Sequence, residues 1–238
     1  MTDNPFGDFI RQRRRDLGLT HAELARRANF SVSLIEKIEA GTRPPTFDTI
    51  QVLFDRLDVP QMFRKHILGL SVPGIYGAGA PGQPSAADLT DLDSLHHPAS
   101  FYVVPTFTVV AANAAFRHTF PGGGPGTSFV EWMFLNPDAR TVVVDWQPEA
   151  QRLIQCLRMF APAPAANREL RELIGRCQQS ADWDGLWNNA FPITAPDTGR
   201  IQLRGIGNGR TRSMGIRLYS PEYPARPWWM CRLLASPA

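Results

Sequence analysis

The chain has 238 residues, of which 43% are hydrophobic and 20% charged, with a formal net charge of only +3. That apolar share excludes wholesale disorder. No run approaches the roughly 20 apolar residues of a membrane helix, and the stretch Met1 to Arg15 lacks the apolar core of a signal peptide, so a cytoplasmic protein with no membrane partner is expected.

The first 70 residues read as five helices. Phe6, Phe9, Ile10 and Leu17 recur near helical spacing, and Gly18 ends that helix. Thr20-His21-Ala22-Glu23 is a capping box for a second helix with Leu24, Ala25 and Ala28 inside. Asn29-Phe30 turns the chain. Ser31 caps a third helix with Ile35 and Ile38 inside, closed by Gly41. Thr46 caps a fourth with Ile50, Leu53, Phe54 and Leu57 on one side, and Gln61 to Leu68 forms a short fifth. The run Ser71 to Ser85 holds four Gly and three Pro, so it reads as a linker. Three units are therefore expected: 1–70, the linker 71–85, and 86–238.

The larger unit mixes types. Phe101 to Pro105 and Phe107 to Ala112 are β-branched and aromatic, hence strands. Asn113 caps a short helix through Phe120, and Pro121 to Gly126 is a loop. Helices follow over Ser128 to Leu135, Gln147 to Phe160, Asn167 to Gln179 and Asp182 to Asn189. Three strands close the chain: Arg200 to Ile206, Ser213 to Tyr219 and Trp228 to Leu234. Gly205 to Gly209, lying between two strands, reads as a hairpin turn rather than a dinucleotide fingerprint. This order predicts an α+β domain with one antiparallel sheet.

Other chemistry finds little support. The three cysteines Cys156, Cys177 and Cys231 are odd in number and form no CxxC, so they read as reduced, mostly buried thiols. His96, His97 and His118 show no metal-ligand spacing, and the adjacent His pair reads as solvated. No metal, cofactor or catalytic residue is assigned, and no enzyme is expected. The cluster Trp228-Trp229 with Trp183 and Trp187 reads as a core wall, or alternatively a dimer surface.

Two short capped helices joined by Ala28 to Ser31 make a helix-turn-helix, whose second helix enters the major groove of DNA. Leu19 to Ala28, Ser31 to Gly41 and Arg43-Pro44-Pro45-Thr46 resemble the Xre/Cro-type helix-turn-helix family over about residues 6 to 69. The resemblance implies double-stranded DNA as partner. It places Val32, Ser33 and Lys37 at outward positions of the recognition helix, with Ser31 at its N-terminus. Lys37 is suited to guanine and Val32 to a thymine methyl. His21 stands where the family usually has Gln, a phosphate-contacting place, and Thr42 and Arg43 are further phosphate ligands. Arg11, Arg13, Arg14 and Arg15 read either as a DNA-binding run or as a solvated helix face. Glu36 and Glu39 must turn away from phosphate. Residues 1–70 hold 11 basic and 9 acidic residues, net +2, so non-specific affinity is expected to be modest.

The remainder is similar to the MmyB-like ligand-binding domain found behind Xre-type heads. The matching segments are His97 to Ser100, Ala112 to Ala115, Asp138-Ala139-Arg140 with Asp145-Trp146, and Ser180 to Trp183 with Trp187. That resemblance implies a PAS-like fold, an antiparallel sheet with helices over one face, around an apolar cavity for a lipophilic ligand such as a fatty acid. Candidate lining residues are Phe101, Val103, Phe107, Val109, Phe116, Trp132, Trp146 and Leu157, which equally describe an ordinary core. The sequence thus points to a one-component, homodimeric transcriptional regulator sensing a small molecule. The alternative is a regulator whose second domain only dimerises or binds a protein partner.

Overall fold

The computed structural model describes residues 4–61, 63–64, 67–68, 83–160, 168–188, 199–221, 224 and 226–235. Two compact units divide the chain: residues 1–78 with 158–168 and 189–195 form one, and residues 79–157, 169–188 and 196–238 the other. The expected linker lies almost wholly outside the described residues.

The first unit is helical: α1 (Pro5–Asp16), α2 (His21–Ala28), α3 (Val32–Glu39) and α4 (Phe47–Arg56). Of the expected fifth helix, positions 61, 63–64 and 67–68 are helical, and its other three lie outside the described residues. The helices start where a side-chain oxygen meets the exposed N–H groups of the first turn: Asn4, Thr20, Ser31 and Thr46 each accept from the backbone N–H three residues on. The α2–α3 turn is closed by Asn29 in the left-handed region at φ 56°, with Phe30 N–H donating to Ala25 O at 2.9 Å. Phe9, Ile10, Leu24, Ile35, Leu53, Phe54 and Leu57 fill the core.

The arginine run at α1 divides: Arg15 is exposed and Arg11 half-buried. Arg13 and Arg14 are buried. Arg13 donates from Nε to Leu57 O at 2.8 Å and from a terminal nitrogen to Asp58 O at 3.2 Å. It thereby satisfies carbonyls at the C-terminal end of α4, where a cation is favoured.

The second unit is built from α5 (Ala86–Ser94), β1 (Ala99–Val103), β2 (Thr108–Ala112), α6 (Ala114–Thr119), α7 (Phe129–Leu135), α8 (Ala139–Val142), α9 (Trp146–Phe160), α10 (Arg168–Cys177), α11 (Trp183–Trp187), β3 (Arg200–Arg204), β4 (Thr211–Tyr219) and β5 (Trp229–Ala235), except that residues 158–160 and 168 fall in the first unit. The five strands form one antiparallel sheet in the order β2-β1-β5-β4-β3. Both edges are covered. Val144 N–H donates to Gln202 O beside β3, and Gly126 N–H donates to Val109 O beside β2.

The sequence reading missed α5 and α8. Helix α5 changes the layering. Ala99 and Phe101 pack with Leu92, Ala111 and Trp228, and Leu95, Val103 and Met230 join them. Alternation along β1 sends Tyr102 to the other face, where it stacks on Phe107 with ring centroids 5.7 Å apart. Helix α5 therefore lies against the Ala99 and Phe101 face of β1, opposite the face that carries Tyr102.

Candidate functional site

On α3 the amphipathic spacing sorts side chains cleanly. Ile35, Ile38 and Glu39 are buried, whereas Val32, Ser33, Glu36 and Lys37 are exposed. Val32, Ser33, Glu36 and Lys37 thus share one open stripe, so Glu36, expected to turn away from phosphate, stands among the outward residues instead. Ser31 Oγ accepts from Leu34 N–H at 3.2 Å, so that hydroxyl serves as the helix cap. The loop beyond folds back on the helix end. Thr42 donates both N–H and Oγ1–H to Lys37 O, and Arg43 N–H donates to the same carbonyl at 3.3 Å. Both side chains are exposed.

The far end of α3 is pinned by polar contacts. Arg14 grips Glu39 with two bonds, Nε to Oε1 at 2.7 Å and a terminal nitrogen to Oε2 at 2.8 Å, and gives a third to Leu19 O at 2.9 Å. His21 Nε2 stands 3.0 Å from Glu39 Oε2. Burial pushes the Glu39 carboxyl up, but the hydrogen bonds and charges of Arg14 and His21 outweigh it and hold the group below the usual carboxylate range. The same pairing raises Arg14. Glu39 therefore does not threaten phosphate, because its charge is met inside the protein. His21 is partly exposed beside an open cleft lined by Arg11, Arg14, Arg15, Glu36, Glu39 and Ala40. Arg11 is tied to Asp8 at 2.6 Å.

Asn4 joins the start of α1 to the end of α3. Its Nδ2 donates to Ile38 O at 3.1 Å while its Oδ1 accepts from Gly7 N–H at 3.1 Å. Gly41 follows at φ +72°, and a Cβ there would meet Asn4 Cγ at 2.9 Å. Sequence reasoning assigned neither Asn4 nor this contact, which joins residues more than 30 positions apart.

In the second unit the eight candidate lining residues fall into separate neighbourhoods. Phe101 and Val103 belong to the α5 cluster. Phe116 and Trp132 sit in a ring cluster with Phe120 and Phe129, centroids 4.8–5.3 Å apart along Phe116–Phe120 and Phe120–Trp132. Trp146 meets Phe134 at 5.6 Å. Phe107 stacks on Tyr102, and Val109 and Leu157 are buried. The two indole N–H groups are committed, Trp132 to Pro121 O at 2.7 Å and Trp146 to Met133 O at 2.8 Å. The tryptophan cluster likewise divides. Trp228 lies 5.8 Å from Phe101, while Trp183 stacks on Trp187 and touches Phe134.

Polar side chains hold this unit together. Buried Asn113 accepts at Oδ1 from Ala99 N–H and Phe116 N–H, and donates to Leu95 O and His97 O. Arg140 pairs with Asp182 and lies 3.8 Å from the centre of the Trp146 ring. His97 is not simply solvated: its Nε2 accepts from Arg232 at 2.9 Å. Partial burial, with the charges of Arg232 and His96, lowers its pKa. Burial pushes the thiols of Cys156, Cys177 and Cys231 up to about 12, so none is a thiolate at neutral pH. Among the described residues no His, Cys, Asp and Glu gather as a metal site, and no helix is long and apolar enough to cross a membrane.

Comparison with known proteins agrees with this geometry. No curated protein matches the chain. A helix-turn-helix domain model matches residues 5–66. The model of the MmyB-like transcription regulator ligand binding domain matches residues 85–224, more than half of the chain. The chain belongs to the MmyB-like transcription regulators, DNA-binding proteins with a helix-turn-helix head and a ligand-binding domain.

Proposed function

We propose that this protein is a one-component cytoplasmic regulator. Residues 1–70 act as the DNA-reading module, 71–85 as the connector, and 86–238 as a homodimerising sensor of a small lipophilic ligand such as a fatty acid. The observation that carries the DNA reading is the open stripe of Val32, Ser33 and Lys37 on a capped helix whose other side is locked in the core. In this reading Lys37 donates to guanine, Val32 meets a thymine methyl, and Ser33 hydrogen-bonds a base edge. Arg43, Thr42, His21 and the N-terminal turn at Ser31 meet phosphate. The ligand reading is supported by the share of Phe, Trp, Val and Leu side chains turned inward near α6, α7 and α9, the surroundings an apolar ligand requires.

Selection of bound duplexes from a random library, with the purified full chain as bait, tests the head. A consensus is expected. Against it, Lys37→Ala loses about tenfold affinity and relaxes preference at one base pair. Arg43→Ala weakens all duplexes alike and lowers the salt slope by about one. Equal binding of wild type and both variants at fixed salt overturns the assignment. Solvent extraction and mass spectrometry of the purified protein tests the sensor. A co-purifying fatty acid supports it, and an empty protein that binds no added oleate reduces the second domain to dimerisation.

A further inference from the structure

Several arginines of the second unit are paired with carboxylates. Arg140 meets Asp182, Arg152 meets Glu149, Arg176 meets Glu131, and Arg226 meets Asp88. The β3–β4 hairpin breaks this pattern. Residues 199–221 contain Arg200, Arg204, Arg210, Arg212 and Arg217 and no Asp or Glu, in a chain whose totals are 25 basic and 22 acidic. All five are exposed, and none has a carboxylate partner among the described residues.

Register concentrates them. Arg200 and Arg204 are four residues apart, hence on one face of β3. They stand opposite Gly215 and Thr211 of β4. Arg217, two residues beyond Gly215, projects to that same face, directly opposite Arg232 of β5. Like charges facing each other across a ladder are destabilising. The nearby acceptors are neutral: Arg217 donates to Ile216 O and Arg232 to His97. Four guanidinium groups with no carboxylate partner among the described residues make a surface suited to an extended polyanion, and guanidinium matches phosphate in two-point geometry.

A polyanion that this chain meets through its head is DNA. The head brings a duplex to this chain, yet its own cations are partly spent: Arg13 and Arg14 are buried on internal partners and Arg11 is tied to Asp8. We propose that the open face of β3, β4 and β5 is a second, sequence-independent site for the phosphate backbone of duplex DNA. The proposal rests on the DNA-reading role of the head, and its test separates the two.

The test uses the full chain and a labelled 50-base-pair duplex centred on the selected sequence, with a scrambled duplex of equal length. Arg200→Gln/Arg204→Gln/Arg217→Gln is expected to lose at least tenfold affinity for both duplexes in 100 mM salt. The slope of log K against log salt becomes shallower by about two to three, close to 0.9 per lost phosphate contact. Preference for the selected sequence stays unchanged. The triple Arg→Lys variant retains binding, and a triple Lys variant as weak as the Gln variant overturns the proposal by showing a structural effect. Lys37→Ala shows the opposite pattern, with preference lost and most of the slope kept. Wild-type affinity and slope in the Gln variant overturn the proposal, with or without loss of poly-glutamate binding, which would assign the face to an acidic protein. If Lys37→Ala also changes nothing, the head assignment fails separately.

Discussion

Glu39 is the residue on which the geometry of the recognition helix turns. It is buried, and its carboxylate is held by two bonds from Arg14 and a contact with His21. Breaking a buried pair on one side leaves the other charge without compensation. Glu39→Gln is therefore expected to lower unfolding free energy by about 3 kcal/mol or more in urea titrations at pH 7. The folded carboxyl titrates below its ordinary range. Its contribution is thus complete above about pH 4.3, the unfolded value, and disappears as pH falls through the lower folded value. The gap between wild type and Glu39→Gln should close in that acid window. His97 works in the other direction of charge. Its pKa is lowered by burial and by Arg232, so the unfolded chain takes up the proton first. Stability is full above about pH 6.5 and declines as pH drops from there towards the folded value. His97→Gln should flatten that part of the pH–stability curve, and an unaltered slope would reject the assignment.

At the scale of elements, local chemistry made the sequence legible where one short stretch decides the structure. Thr20, Ser31, Thr46 and Asn113 are each readable as caps, and each caps a helix. Helix α5 was missed although Ser85 and Asp88 form a reciprocal capping box, because the Gly/Pro run was carried through Ser85 and hid the helix start. The candidate lining residues Phe101, Val103, Phe107 and Val109 alternate along the sequence. The chain turns between the two strands, and a register shift lies between Phe101 and Tyr102 in their pairing. Phe101 consequently joins α5, and Phe107 joins Tyr102. The fate of Arg13 was not readable at all, since its partners lie 44 and 45 positions away. Asn113 shows what such distant bonding contributes. Asn113→Ala would leave the N–H groups of Ala99 and Phe116 and the carbonyls of Leu95 and His97 without their partner. At about 1–3 kcal/mol for each unsatisfied buried group, a loss of at least about 3 kcal/mol is expected in a denaturant melt. A loss under about 1 kcal/mol would mean that solvent replaces these bonds.

On the scale of the whole molecule, a DNA reader and a ligand domain in one chain amount to a regulator only if the two binding events are coupled. Coupling is a free energy shared by both sites, so it must appear equally from either side. A ligand that favours one state of the second domain shifts the head only by its differential affinity for the two states. With oleate as probe and the selected duplex as operator, a tenfold change in DNA affinity at saturating oleate corresponds to about 1.4 kcal/mol. The duplex must then change oleate affinity tenfold in the same direction. Both titrations are accessible by calorimetry and fluorescence anisotropy on the full chain at one salt concentration, which matters because DNA affinity is salt-dependent. Equal and opposite-order cycles that close within experimental scatter would establish the population shift. Tight oleate binding with DNA affinity unchanged would separate sensing from DNA reading and reject the one-component mechanism.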